Sequence, residues 1–247
     1  MVGVDIYNWN LCFGTGTKFK TFEKSGVFFI FMDMRKDKII LFEEVYRIME
    51  ISDISGMRGK DLIVVDIQPE YMDGITFLSS FIKFLNLHFD EFNSVTFLYN
   101  GYDTLGMINE GDYMLWWIEN GLDEEKVYDI EFYDKGYAFF RYCIDSSIDD
   151  EVTTNLVRMM IEKGINDSRD LDESFWDEFI ERYGDGDVRE LLEFADDCIN
   201  IPDLMDFLGR YNNIVLVGGG INECLKEVEI ALNALEKPYT TIPKYLY

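Results

Sequence analysis

Ile214-Val215-Leu216-Val217-Gly218-Gly219-Gly220-Ile221-Asn222-Glu223-Cys224 is the stretch that decides the fold. Its first four residues are apolar without interruption, the mark of a strand buried on both faces. Three glycines follow, which let the backbone turn tightly and approach a neighbour closely. A helix then starts near Cys224 and carries Leu225, Val228, Leu232 and Leu235 on one side. Strand, glycine turn and helix in this order form the building unit of an open parallel sheet, and such sheets collect reactive groups just beyond the carboxyl ends of their strands.

The same grammar repeats upstream. Leu62-Ile63-Val64-Val65 is a second buried-strand run, ended by Asp66. Phe77, Leu78, Phe81, Phe84 and Leu85 then recur at helical steps as far as Leu87. Residues 95–99 read as a strand, 113–118 as a helix, and 127–133 as a third strand leading into Asp134-Lys135-Gly136-Tyr137. From 149 to 208 the chain is helical and very acidic, with apolar faces at Leu156, Met159 and Met160 and at Phe175, Phe179 and Ile180; residues 149–202 read as a helical insertion. A last strand falls at 239–242. Alternation of this kind predicts a Rossmann-like three-layer α-β-α fold with a mainly parallel sheet and right-handed crossovers over residues 59–247. Residues 1–58 read as a β-rich extension, with short apolar stretches at Val27-Phe28-Phe29-Ile30-Phe31 and Ile39-Ile40-Leu41-Phe42. Gly14-Thr15-Gly16 lacks the later residues of a phosphate loop and reads as a turn.

Composition narrows the function classes. The 247 residues carry 48 acidic against 22 basic side chains, a net charge of −26, which repels nucleic-acid phosphate and anionic membrane surfaces. Nucleic acid and membrane are therefore not expected partners, although a regular array of carboxylates could imitate nucleic acid toward a basic protein. The four cysteines, Cys12, Cys143, Cys198 and Cys224, are scattered without a CxxC pair. They imply a reduced, cytoplasmic protein with no disulfide framework. The single histidine, His88, lies at a helix end with no ligand pattern around it, so neither a metal site nor histidine-based catalysis is expected.

Three polar residues fall at predicted strand ends. Cys224 follows the glycine turn, where helix-start amides can favour a thiolate and hold a developing oxyanion. Asp66 can accept a proton from a thiol, although an aspartate alone at this place ordinarily caps a helix. Lys135 sits among aromatics and can keep a neighbouring carboxylate ionised, although alone it reads as a surface lysine.

Taken together, these segments resemble the isochorismatase-like cysteine hydrolases. Leu62-Ile63-Val64-Val65-Asp66-Ile67-Gln68 is similar to that family's first strand, Lys135-Gly136-Tyr137-Ala138-Phe139 to its lysine segment, and Gly218 to Cys224, continued through Leu225, Ala231 and Ala234, to its cysteine elbow. The resemblance implies a hydrolase of a small amide or related C–N compound, with Cys224 as nucleophile, Asp66 in proton transfer and Lys135 as electrostatic partner. It further implies an oxyanion site at the backbone of Gly220, Ile221 and Cys224, no cofactor, and association of copies into a homo-oligomer. Gln68, Tyr71, Tyr102, Tyr137, Phe139 and Asn222 are the expected substrate contacts, with Trp116 and Trp117 as further candidates for a planar ligand. Trp176, Phe175, Phe179 and Tyr183 form a stripe whose default reading is core and whose alternative is a lid or interface.

The chain departs from the family pattern at Ile221, where threonine is common, and at Glu223, where an apolar residue is common. An acidic neighbour disfavours a thiolate. These departures motivate a competing reading, a catalytically inactive isochorismatase-like fold acting as an acidic binding or assembly module.

Overall fold

A computed structural model describes residues 17–22, 28–33, 38–40, 56–136, 143–144, 148–166, 170–184, 189 and 202–247. The chain divides into two units, Met1–Met57 and Arg58–Tyr247. The first contains an antiparallel sheet of β1 (Thr17–Phe22), β2 (Phe28–Asp33) and β3 (Lys38–Ile40), in that order. Both apolar stretches singled out in the sequence contribute to it, as β2 and β3; the Gly14-Thr15-Gly16 turn lies outside the described residues.

The second unit is built on a five-stranded, all-parallel sheet. Its strands are β4 (Asp61–Val65), β5 (Ser94–Tyr99), β6 (Glu131–Asp134), β7 (Ile214–Gly218) and β8 (Tyr239–Thr241), in the spatial order β6-β5-β4-β7-β8. β4 is central, paired with β5 on one side and β7 on the other. Every residue of β4 and β7 is buried, which explains why both read as unbroken apolar runs, whereas a strand with one wet face would alternate.

Helices cover both faces. On one side lie α1 (Leu78–His88) and α3 (Glu110–Glu119), preceded by the short α2 (Tyr102–Leu105) and followed by α4 (Glu124–Val127). Here Phe97 of β5 packs edge-on against Trp117 at 4.6 Å between ring centroids, and Phe81 meets Tyr245 at 5.0 Å. On the other side lie α5 (Asp150–Lys163), α6 (Glu173–Tyr183), α7 (Pro202–Gly209) and α8 (Cys224–Ala234). Leu156, Met159, Met160, Phe175, Phe179, Phe207, Val228 and Leu232 share one core there with Ile63, Val65, Leu98 and Leu216, the strand residues that alternation turns to this face. The acidic segment between β6 and β7 thus supplies much of a covering layer, with α5 packed on α8. Its described carboxylates lie at the surface, some in exposed ion pairs such as Arg182–Glu162 at 3.0 Å.

Sequence signals set the helix ends. Asp149 and Asp172 accept the backbone amides of Glu151 and Phe175 at 2.8 Å, capping α5 and α6, and Gly164 and Gly184 close them in the left-handed conformation. One boundary differs from expectation. The strand read over 127–133 starts only at Glu131, because Asp123 accepts the amides of Lys126 and Val127 and winds 124–127 into a helical turn that buries Val127. The aromatic stripe of α6 is core: Phe175, Trp176 and Phe179 are buried.

Candidate active site

Three strand exits converge at the carboxyl edge of the sheet. The first is that of β4. Asp66 leaves the strand with φ of 46°, in the left-handed region that non-glycine residues rarely occupy. Its backbone is pinned from two sides: its amide donates to the Leu98 carbonyl at 2.9 Å, and the Tyr247 hydroxyl donates to its carbonyl at 2.9 Å. Such local strain persists only where the surroundings over-determine it. The Tyr113 hydroxyl adds a third constraint by donating to the next carbonyl, that of Ile67, at 2.6 Å.

The second exit is that of β6, where the Lys135 amide extends the parallel ladder by donating to the Tyr99 carbonyl at 2.9 Å. This turns the side chain inward. Its Nζ lies 3.2 Å from Asp66 Oδ2, 2.8 Å from Glu227 Oε2 and 3.1 Å from the Gly136 carbonyl, and all three charged side chains are fully buried. The contact with Asp66 is an ion pair rather than an aligned hydrogen bond, while the contact with Glu227 is both.

The third exit is the glycine turn after β7. Gly218 has φ of 77°, and a Cβ there would lie 2.3 Å from the Val65 carbonyl oxygen; Gly219 has φ of 71°, and a Cβ would lie 2.8 Å from the Leu225 amide. Only glycine fits either position. The Gly220 carbonyl accepts the amides of Glu223 and Leu225, which starts α8 with Cys224 as its first residue. Cys224 and Glu227, three residues apart, share one helix face, and both are buried.

The buried Cys224 thiol lies within the electrostatic reach of both the Asp66 carboxylate and the Lys135 ammonium. Burial pushes this thiol well above its ordinary range, and the Asp66 charge adds to the shift while Lys135 opposes it. For Lys135 burial favours the neutral amine, but the carboxylates of Asp66 and Glu227 outweigh it and hold the ammonium well above the usual lysine range. At rest the cluster therefore sets an ammonium beside a protonated thiol. A proton passing from Sγ to Asp66 would leave a thiolate beside the ammonium.

The other expected site residues take varied places. The Ile221 amide donates to the Tyr247 main-chain oxygen at 2.8 Å, so a protein acceptor occupies it, and the Ile221 side chain is 51% exposed. Asn222 is exposed. Gln68 is fully buried and has a bridging role: its Oε1 accepts the Asn100 amide at 2.9 Å and its Nε2 donates to Glu70 at 3.0 Å, tying the β4 exit to the β5 exit. Tyr71 accepts from Asn100 Nδ2 at 3.1 Å. Tyr102 is 66% exposed, whereas Trp117 is buried in the core against Phe97. Tyr137 and Phe139 lie outside the described residues. Glu223 is exposed, and the acidic residue that reaches the cluster is Glu227. His88 ends α1 and pairs with Glu91 at 3.1 Å. Among the described residues no group of three His, Cys, Asp or Glu side chains is arranged to hold a metal ion, and no helix is long and apolar enough to cross a membrane.

Two residues of the site were not singled out from sequence, Glu227 and Tyr247. Glu227 carried a readable signal, since it is an acid three residues after Cys224 on a helix whose neighbouring positions are apolar. Tyr247 carried none.

Sheet order and site together define a class. This is a doubly wound parallel α/β protein whose polar cluster straddles β4 and β7, where successive connections leave the sheet centre in opposite directions and where such sheets characteristically bind ligands. No protein-family model matches the chain, and no match was found among curated proteins or solved structures.

Proposed function

We propose that the protein is a cysteine-dependent hydrolase of a small amide or related C–N compound, working as the isochorismatase-like hydrolases do. The observation that carries the reading is the buried cluster itself: the Cys224 thiol feels both the Asp66 carboxylate and the Lys135 ammonium, which lie 3.2 Å apart. In the proposed reaction the Sγ proton passes to Asp66, and the thiolate attacks the substrate carbonyl carbon. The C–N bond breaks as Asp66 returns the proton to the leaving nitrogen, and a thioester to Cys224 remains. Water, giving its proton to Asp66, then releases the acid and restores the thiol. A substrate oxygen would take the place of the Tyr247 main-chain oxygen at the Ile221 amide. The same reading has the protein at work in the cytoplasm, where a thiol stays reduced, and has copies associating as family members do.

The test is ammonia release from a panel of small primary amides by the native protein and by C224A and C224S, with intact mass spectrometry to trap a covalent adduct. Turnover that requires Cys224 and an adduct mapped to it are expected. Equal labelling of Cys12, Cys143, Cys198 and Cys224 by a thiol-directed electrophile would sink the proposal.

One observation favours a second reading, a binding module without turnover. Glu227 shares the ammonium with Asp66, and its charge works against a thiolate. On that reading no amide is cleaved, yet the folded protein still retains a small ligand.

A further inference from the structure

The catalytic reading uses three of the four buried polar side chains at the site and leaves Glu227 without a role. Glu227 is fully buried and makes the shorter of the two carboxylate contacts to Lys135, 2.8 Å against 3.2 Å for Asp66. It projects from the same face of α8 as Cys224. A buried carboxylate is tolerated only when paired, and this one pairs with the single cation that the proposed reaction needs.

We propose that Glu227 is a positioning residue: it anchors the Lys135 ammonium on α8 and divides its charge with Asp66, so that Cys224 rests as a thiol and ionises only by handing its proton to Asp66. The inference rests on the hydrolase reading for its catalytic meaning, but not for its electrostatics. With Glu227 neutral, Lys135 serves Asp66 and Cys224 alone, and the balance moves toward thiolate with the proton released to solvent. The charged and titratable groups around Cys224 are Asp66 from the β4 exit, Lys135 from the β6 exit, Glu227 from its own helix and Tyr247 packed over the elbow. The direction of the Cys224 shift, to which Glu227 contributes, agrees with this arrangement.

The experiment is a pH titration of thiolate absorbance near 240 nm on the full chain, taken as the difference from C224A in the same background. It is run for the native protein, E227Q and E227D. E227Q should lower the Cys224 midpoint by up to about one pH unit, at most a tenfold rise in thiolate at a given pH. E227D keeps the charge but withdraws it by one methylene, so it should shift the midpoint in the same direction by less. Should E227Q not fold by circular dichroism, the E227D shift decides. An unmoved midpoint, or an E227D shift as large as that of E227Q, overturns the proposal, because charge would not be the cause. Amide turnover by the native protein is scored separately. A midpoint shift without turnover keeps Glu227's role and removes the hydrolase; turnover without a shift does the reverse.

Discussion

Replacing Lys135 by Met tests the buried cluster most directly. The substitution keeps an unbranched side chain of similar length but removes the ammonium from between two carboxylates, 3.2 Å and 2.8 Å away, all fully buried. At an effective dielectric of about 20, one charge pair at 3.2 Å is worth about 5 kcal/mol, opposed by a desolvation penalty of several kcal/mol per ion that folding has already incurred. Removing the cation forfeits the attraction and leaves that penalty in place, so K135M should lose about 3–5 kcal/mol of stability, a large share of the roughly 5–15 kcal/mol that holds a typical domain. Urea unfolding followed by tryptophan fluorescence, which senses the buried Trp117 and Trp176, should show a lower midpoint with an unchanged slope. Adding E227Q to K135M should recover part of the loss, because only one buried carboxylate then lacks its cation. A loss below about 1 kcal/mol for K135M, the value of an exposed surface pair, would refute the account of Lys135 as the keystone of a dry charge cluster.

Gly218→Ala should cost about 3 kcal/mol or more, since it adds left-handed strain of roughly 1–2 kcal/mol to a Cβ 2.3 Å from the Val65 carbonyl oxygen; urea unfolding measures it. Gly106→Ala, with φ of 68° but open space around it, should cost only the strain, so equal losses at the two sites would contradict the close approach of β7 to β4. Stability should fall as pH rises above about 9, the ordinary value for a cysteine, because Tyr113, Lys135, Cys224 and Tyr247 are all held above their ordinary values and keep protons that the unfolded chain releases. Each such group contributes at most about 1.4 kcal/mol per pH unit, and C224A should flatten the decline measured by urea midpoints between pH 8 and 10.5; a midpoint rising over that range would show the opposite sign.

The sheet was legible because β4 and β7 are buried along their whole length. Leu62-Ile63-Val64-Val65 and Ile214-Val215-Leu216-Val217 have no wet side to interrupt them, and their exits are marked by an aspartate and by glycines. The edge strand β6 was less legible. Phe132 and Tyr133 suit a strand, but the turn that delays its start is set by a capping carbonyl at Asp123, which apolar periodicity does not record. At the site, a cysteine after a glycine turn and a carboxylate at a strand end are local patterns, and both could be picked out. Glu227 is marked locally only as an acid on the buried helix face of Cys224, and the partner that gives it a role is 92 residues away. Tyr247 matters through its backbone oxygen as much as its ring, and main-chain groups are the same for every residue type. Gln68 shows the converse: its neighbour Asp66 drew attention to it as a ligand contact, whereas its amide is used up in joining two loops.

The parentage of the charge cluster has a consequence for how the chain matures. During synthesis Asp66 and Lys135 leave the ribosome well before the helix bearing Cys224 and Glu227, and Tyr247, which covers the elbow, is 181 residues beyond Asp66. Until that late helix docks, the lysine has half its complement of anions and the inner strand β4 lacks β7 along one edge. Contacts between such distant segments form slowly because a long loop must close first. The nascent protein therefore passes through an interval in which its central strand is unprotected on one side, and the arrival of α8 closes the hydrophobic layer and brings the ammonium its second carboxylate in a single docking event.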